Sequence, residues 1–311
     1  MRATKAMIIA AVFAAVVVVA GATVFLVRFV GNSHVENTFT RPIPVGAAID
    51  PQSSAMIAQL TASDNVVNAL LREYAIPVYD ASPSTPRVKV VCTTPQWECP
   101  FKKTTVPIPT DAQPSPGADA VMVIVDRAAG KSYELWHAKP TASGWEVGYG
   151  SILDLGGSGW GGGATGAGAS LLSGIVRTSE IANGNIPHAL ALTTNAACSS
   201  TFRPPATKAD GTSTSPNCIP MGTHIQLDPS IDLDALNLKP GIRMVARAFQ
   251  VYGGFVVGVG SQPLGIRFEH DPQARLDSMG LVYQRAGLDF DYLKFGGIPW
   301  GRLRVLAVEN P

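Results

Sequence analysis

The first strong pattern in the chain is an uncharged apolar run from Met7 to Val27, in which Thr23 is the only polar side chain. At about 1.5 Å of rise per residue, a helix of this length spans roughly 30 Å, the thickness of one hydrocarbon core. Arg2 and Lys5 precede the run and Arg28 follows it. The positive-inside rule then leaves the N-terminus in the cytoplasm and sends the rest out. Residues 1–30 are thus expected to form an N-terminal transmembrane anchor, single-pass, at the cell membrane. A cleaved signal peptide is the alternative: its apolar core would be Met7 to Val19, and Ala20-Gly21-Ala22 suits a peptidase. The protein would then be secreted. Both readings place the domain outside the cytoplasm. Residues 31–48 are Pro-punctuated and aperiodic, which predicts a stalk, and residues 49–311 are expected to form the extracytoplasmic domain.

Beyond the stalk the periodicity changes. Ser53 to Tyr74 reads as helical, as one helix or two short ones, with Ile57, Leu60, Val66, Val67, Leu70 and Leu71 as an apolar stripe and Ser54, Ser63 and Asp64 able to cap. From Arg87 the pattern alternates as in a strand. Ala120 to Asp126, Ser132 to Lys139 and Trp145 to Tyr149, separated by turn residues, predict a three-strand meander. Ala189 to Thr194, Gly222 to Leu227, Phe255 to Val259, Ile266 to Glu269 and Leu303 to Val308 are further strands, and Ile242 to Tyr252 is the one longer helix. Many short strands and few helices predict a mainly β domain, a β-sandwich or jelly roll.

Composition agrees with this pattern. Charged residues make up 15% of the chain, with 31 Gly and 24 Pro, which favours turns and extended segments over long surface helices. A net charge of +1 offers no field for nucleic acid. The four cysteines form two close pairs around Pro-containing segments, so disulfides Cys92–Cys99 and Cys198–Cys218 are expected in an oxidising compartment. No Cys-x-x-Cys occurs and no His stands at ligand spacing beside a Cys, so zinc has no support; no metal or cofactor is expected. The tract from Gly156 to Gly168 contains a literal G-x-G-x-x-G without the strand–helix context of a dinucleotide site, and reads instead as a loop beside a binding face.

Two segments carry candidate chemistry. In Gly174 to Leu190, Arg177, Glu180 and His188 gather around Asn183-Gly184; a carboxylate beside an imidazole suits acid–base work on a glycosidic bond or a sugar C5 proton. The competing reading is a hydrogen-bonded network that pins the turn. In Tyr133 to His137, alternation puts Glu134 and Trp136 on one face, a pairing suited to a sugar's hydroxyls and its C–H face; a core Trp beside a solvent-facing Glu is the alternative. Trp160 and Trp300 are candidates to line a cleft. Glu269-His270-Asp271, Asp232/Asp234 and Asp289/Asp291 read as surface turns, with weak cation binding as the alternative.

The segment Gly174-Ile-Val-Arg-Thr-Ser-Glu-Ile-Ala-Asn-Gly-Asn-Ile-Pro-His-Ala-Leu190 resembles a largely uncharacterised family of secreted actinobacterial and fungal proteins. Pro205 to Gly211, Pro220 to Leu227 and Ala248 to Gly253 match its later motifs. The resemblance covers roughly Pro42 to the C-terminus and implies a concanavalin-like sandwich or jelly roll. Gly258 stands where the family pattern has an Asp, which bears on whether this chain is catalytic. The functional expectation is an envelope-tethered, carbohydrate-active protein, a glycoside hydrolase or polysaccharide lyase on a cell-wall or extracellular glycan. Glu180 and His188 would be catalytic, with Arg177, Glu134, Trp136 and Trp160 binding substrate. The alternative is a non-catalytic glycan-binding or envelope scaffold module.

Overall fold

The computed structural model describes residues 37–63 and 66–308 of the 311. The expected anchor, residues 1–30, lies outside these. Among the described residues no helix is long and apolar enough to cross a membrane.

The mainly β expectation holds. The largest element is a seven-stranded sheet, in the order Leu293–Lys294, Val67–Leu70, Leu264–Arg267, Leu190–Thr194, Gly254–Val259, His224–Leu227 and Leu303–Val305. Two of its neighbour pairs are parallel, Val67–Leu70 with Leu264–Arg267 and Leu190–Thr194 with Gly254–Val259; the other pairs are antiparallel. This mixed pairing differs from the antiparallel sheets of a jelly roll. The helix Pro240–Val251, opened by Pro240 in its first turn, packs near the sheet through Ile242, Val245, Ala246 and Phe249.

A second sheet has the order Tyr149–Asp154, Lys131–Trp136, Met122–Asp126 and Val78–Asp80. It is covered on both faces. Met122, Ile124, Tyr133 and Leu135 pack with Phe101, Val106 and Ile108. Val121, Val123 and Val125 pack with Ile76, Leu171 and Ile175. The expected meander is therefore re-routed. Its third strand is Tyr149–Asp154, while Gly144–Val147 leaves to pair with Lys139–Thr141 and Val90–Cys92.

The helix expected over Ser53 to Tyr74 stops early. Ser53–Leu60 is helical, with Met56, Ile57 and Leu60 buried, but Val67–Leu70 is a strand with all four residues buried. A strand enclosed on both faces needs no alternation, so its short apolar run looks like one stripe of a helix. The stretch read as a stalk is docked at Phe39, whose ring stacks on Trp160 at 5.3 Å and whose carbonyl accepts the Ala189 N–H at 2.7 Å. Both disulfides are present as paired, Cys92–Cys99 with Cα atoms 5.7 Å apart and Cys198–Cys218 at 5.0 Å. They are what an oxidising environment permits.

Candidate functional site

Glu180 and His188 do meet. The sequence between them folds as the helix Thr178–Asn183, ended by Gly184 in the left-handed region (φ 76°), and the chain returns to set His188 Nε2 at 3.0 and 3.1 Å from the two Glu180 oxygens. Both partners are already engaged. Glu180 Oε2 accepts the backbone N–H of Arg177 at 2.8 Å, closing the helix's first turn, and His188 Nδ1 lies 2.9 Å from the Ala189 carbonyl. Arg177 turns away to Glu269, with Nε 2.9 Å from Oε2, and Glu269 also accepts the Thr178 N–H at 2.9 Å. Tyr283 donates to the Glu269 carbonyl at 2.5 Å. None of Arg177, Glu180 and His188 lines either of the two principal concavities. The network pins the helix, which is the structural alternative raised by the sequence.

Glu134 is also spent, in a different place. It is buried to 0% exposure and accepts three hydrogen bonds: from Ser170 Oγ at 2.5 Å, from the Leu171 N–H at 2.8 Å and from the Ala164 N–H at 2.9 Å. Its carboxylate ties the glycine tract onto the second sheet. Burial raises its pKa, and the hydrogen bonds from Ser170 and the backbone pull the other way. Trp160 packs between Phe39 and Phe255 rather than facing a groove. Trp300 is buried, its indole N–H on the Phe295 carbonyl at 2.7 Å. Of the residues the sequence put forward for sugar binding, Trp136 alone lines a principal concavity.

Trp136 lines a cleft of about 920 Å³. Leu70, Thr193, Gly258 and Arg267, from four strands of the large sheet, form one side. Asp119, Trp136 and Tyr149 come from the second sheet and its flanking turns. Each disulfide loop contributes a segment: Gln96, Trp97 and Glu98 lie between Cys92 and Cys99, and Lys208, Ala209 and Asp210 between Cys198 and Cys218. The glycine tract closes the wall with Ala164, Thr165 and Gly166. The tract comes close to its neighbour here: a Cβ on Gly166 would fall 2.0 Å from the Asp210 carboxylate.

The lining combines aromatic faces with charge. Trp97 lies 5.9 Å from Trp136 and edge-on to Tyr149 at 5.6 Å, centroid to centroid, and Trp97 is 45% exposed. Lys208 Nζ sits 5.1 Å from the Tyr149 ring centroid. The Trp136 indole N–H points at Asp119 Oδ1, 3.5 Å away. Burial raises the Asp210 carboxyl above its ordinary value; Arg267 and then Lys208 oppose that shift, and Asp119 adds to it. Burial lowers Lys208, with Asp210 opposing. Backbone strain concentrates at the same place. Ala120, His137 and Tyr292 hold positive φ (40°, 51° and 56°); the first two adjoin Asp119 and Trp136, and Tyr292 is itself in the lining. Such conformations cost on the order of 1–3 kcal/mol each and cluster at ligand sites.

A second groove, about 1150 Å³, lies along the helix Pro240–Val251. It is larger, but Tyr252 is its one aromatic and its Arg243 is paired with Asp234. The acidic turns are structural. Asp291 accepts the N–H groups of Leu71, Arg72, Glu73 and Tyr292, Asp289 pairs with Lys239, and Asp232 accepts the Asp234 N–H. Among the described residues no group of three or more His, Cys, Asp or Glu could hold a metal ion.

Asp119, Asp210, Arg267, Lys208 and Trp97 were not singled out in the sequence. Trp97 carried a signal, an aromatic inside a short Cys-bounded loop. The others come together only through tertiary folding. Comparison of the chain with family models, with curated proteins and with solved structures finds no match.

Proposed function

We propose that this is an exported glycan-active protein whose substrate lies in the cleft between the two sheets, held to the envelope by the N-terminal apolar run. The observation that carries the reading is the lining itself: Trp97, Trp136 and Tyr149 offer ring faces beside Asp119, Asp210, Lys208 and Arg267. Sugars need both, since their C–H faces stack on aromatics and their hydroxyls take charged hydrogen-bond partners.

In this reading cleavage is hydrolytic and falls to Asp210 and Asp119. Two carboxyls facing one cleft suit an acid and a base. Asp210, raised by burial, gives its proton to the leaving glycosidic oxygen. Asp119 takes a proton from the water whose oxygen joins the anomeric carbon. The C1–O bond breaks, and one water is consumed per bond. A binding module without turnover is the second reading. It is favoured by the fate of Glu134 and Glu180, carboxylates that the fold itself uses.

The test is incubation of the full chain with cell-wall and extracellular polysaccharides. New reducing ends support hydrolysis. Unsaturated sugar products would replace it with elimination. Retention of glycan without either product would leave the binding module. Absence of both binding and products across these polymers would end the glycan reading.

A further inference from the structure

We infer that the glycan in this cleft carries a carboxylate, as a uronic acid does, and that Arg267 receives it. The inference rests on the glycan-cleft reading and adds the substrate's charge class to it.

Arg267 ends the strand Leu264–Arg267, half-buried, with its side chain in the cleft lining. Arg177 is committed to Glu269, Arg203 to Asp50 at 2.7 Å, and Arg304 to Gln226 at 2.6 Å. Arg267 differs. Among the described residues it donates no hydrogen bond and forms no ion pair within 4.0 Å. Its fork of N–H donors matches a carboxylate in bidentate geometry, and it is left for a ligand or for solvent to fill.

The approach to it is open. Gly258, on the cleft floor, has no side chain there, and a Cβ at that position would come 3.4 Å from Arg267 Nη2. An Asp at this position would stand against the guanidinium. Burial lowers the Arg267 pKa, and Asp119, Asp210 and then Glu134 oppose that shift. Glu134 is occupied by its own donors, and Asp119 is approached by the Trp136 indole N–H. A pyranose ring on the aromatic wall can thus present an acidic substituent to the sheet floor.

The experiment is calorimetric titration of the full chain with tetrasaccharides of matched length: a uronic acid oligomer, its neutral counterpart, and the neutral oligomer bearing sulfate esters. The variants are Arg267→Gln and Gly258→Asp. The second keeps the arginine and blocks it with a neighbouring carboxylate, so it serves if the first does not fold. The wild type is expected to bind the uronic oligomer at least about ten-fold more tightly than the neutral one, the scale of one charged hydrogen-bonded contact. Both variants are expected to abolish that preference, so that the uronic oligomer binds no more tightly than the neutral one. Equal affinity for uronic and neutral oligomers, a preference untouched by either variant, or a preference for sulfate alone would overturn the inference and spare the glycan reading. Failure of all three oligomers to bind would overturn both.

Discussion

The Ser170 hydroxyl reaches the Glu134 carboxylate at 2.5 Å, and through that contact the glycine tract is fastened to the second sheet. Two backbone N–H groups, of Ala164 and Leu171, complete the clamp on a carboxylate with no solvent exposure. Ala164 and Leu171 are also cleft-lining residues, so the clamp shapes the cleft wall. Replacing Glu134 by Ala leaves three buried donors unpaired. The expected loss is about 3 kcal/mol in a denaturant melt. An unchanged melt would show that the tract holds itself.

The same residue gives a pH signature. Burial raises the Glu134 pKa, so within its titration range the folded state binds more protons than the unfolded state. Stability from this group is full below its ordinary value of 4.5 and is lost as pH rises through the raised folded value. Glu134→Gln cannot titrate, so the difference in unfolding free energy between wild type and variant should shift in the variant's favour across that range. A difference that stays flat with pH would remove Glu134 as its source.

Much of the fold is legible in the sequence, and the site much less so. Leu190–Thr194, Gly254–Val259 and the helix Pro240–Val251 fall close to where the apolar pattern puts them, because local propensity and burial agree there. Val67–Leu70 looks helical in the sequence because enclosure on both faces erases alternation. Glu134 and Trp136 do share a face, as strand periodicity requires, but the glycine tract folds over the first and leaves the second open. Glu180 and His188 are near in sequence and meet; nearness alone could not show that both are consumed in a helix cap. Asp119, Asp210 and Arg267 are far apart in sequence, and no local pattern joins them.

The aromatic wall should carry much of the affinity. Trp136→Ala and Trp97→Ala are each expected to weaken oligosaccharide binding about ten-fold. Trp97 is 45% exposed, so its removal should leave the melting temperature near that of the wild type. Intrinsic fluorescence titration reads the affinity; full binding by both variants would place the ligand elsewhere.

The first disulfide should matter for binding as well as for folding. Cys92–Cys99 closes a loop of sequence separation 7 that presents Gln96, Trp97 and Glu98 to the cleft. The double variant Cys92→Ser/Cys99→Ser should lose about 2–3 kcal/mol of stability and show the weakened affinity of Trp97→Ala. Wild-type affinity after loss of the disulfide would mean the loop is not held by it.

Glu180→Gln is expected to disturb the start of the helix Thr178–Asn183, lowering stability by about 1 kcal/mol, while glycan turnover stays at the wild-type level. Reduced turnover in a variant that is fully folded would return Glu180 to the mechanism.

The most direct test of the cleft account is release of reducing ends from polysaccharide by the full chain, compared with Asp210→Asn. The account predicts release by the wild type, a fall of at least about 100-fold in Asp210→Asn, and oligosaccharide binding retained in that variant. Release that continues at the wild-type rate in Asp210→Asn would contradict it.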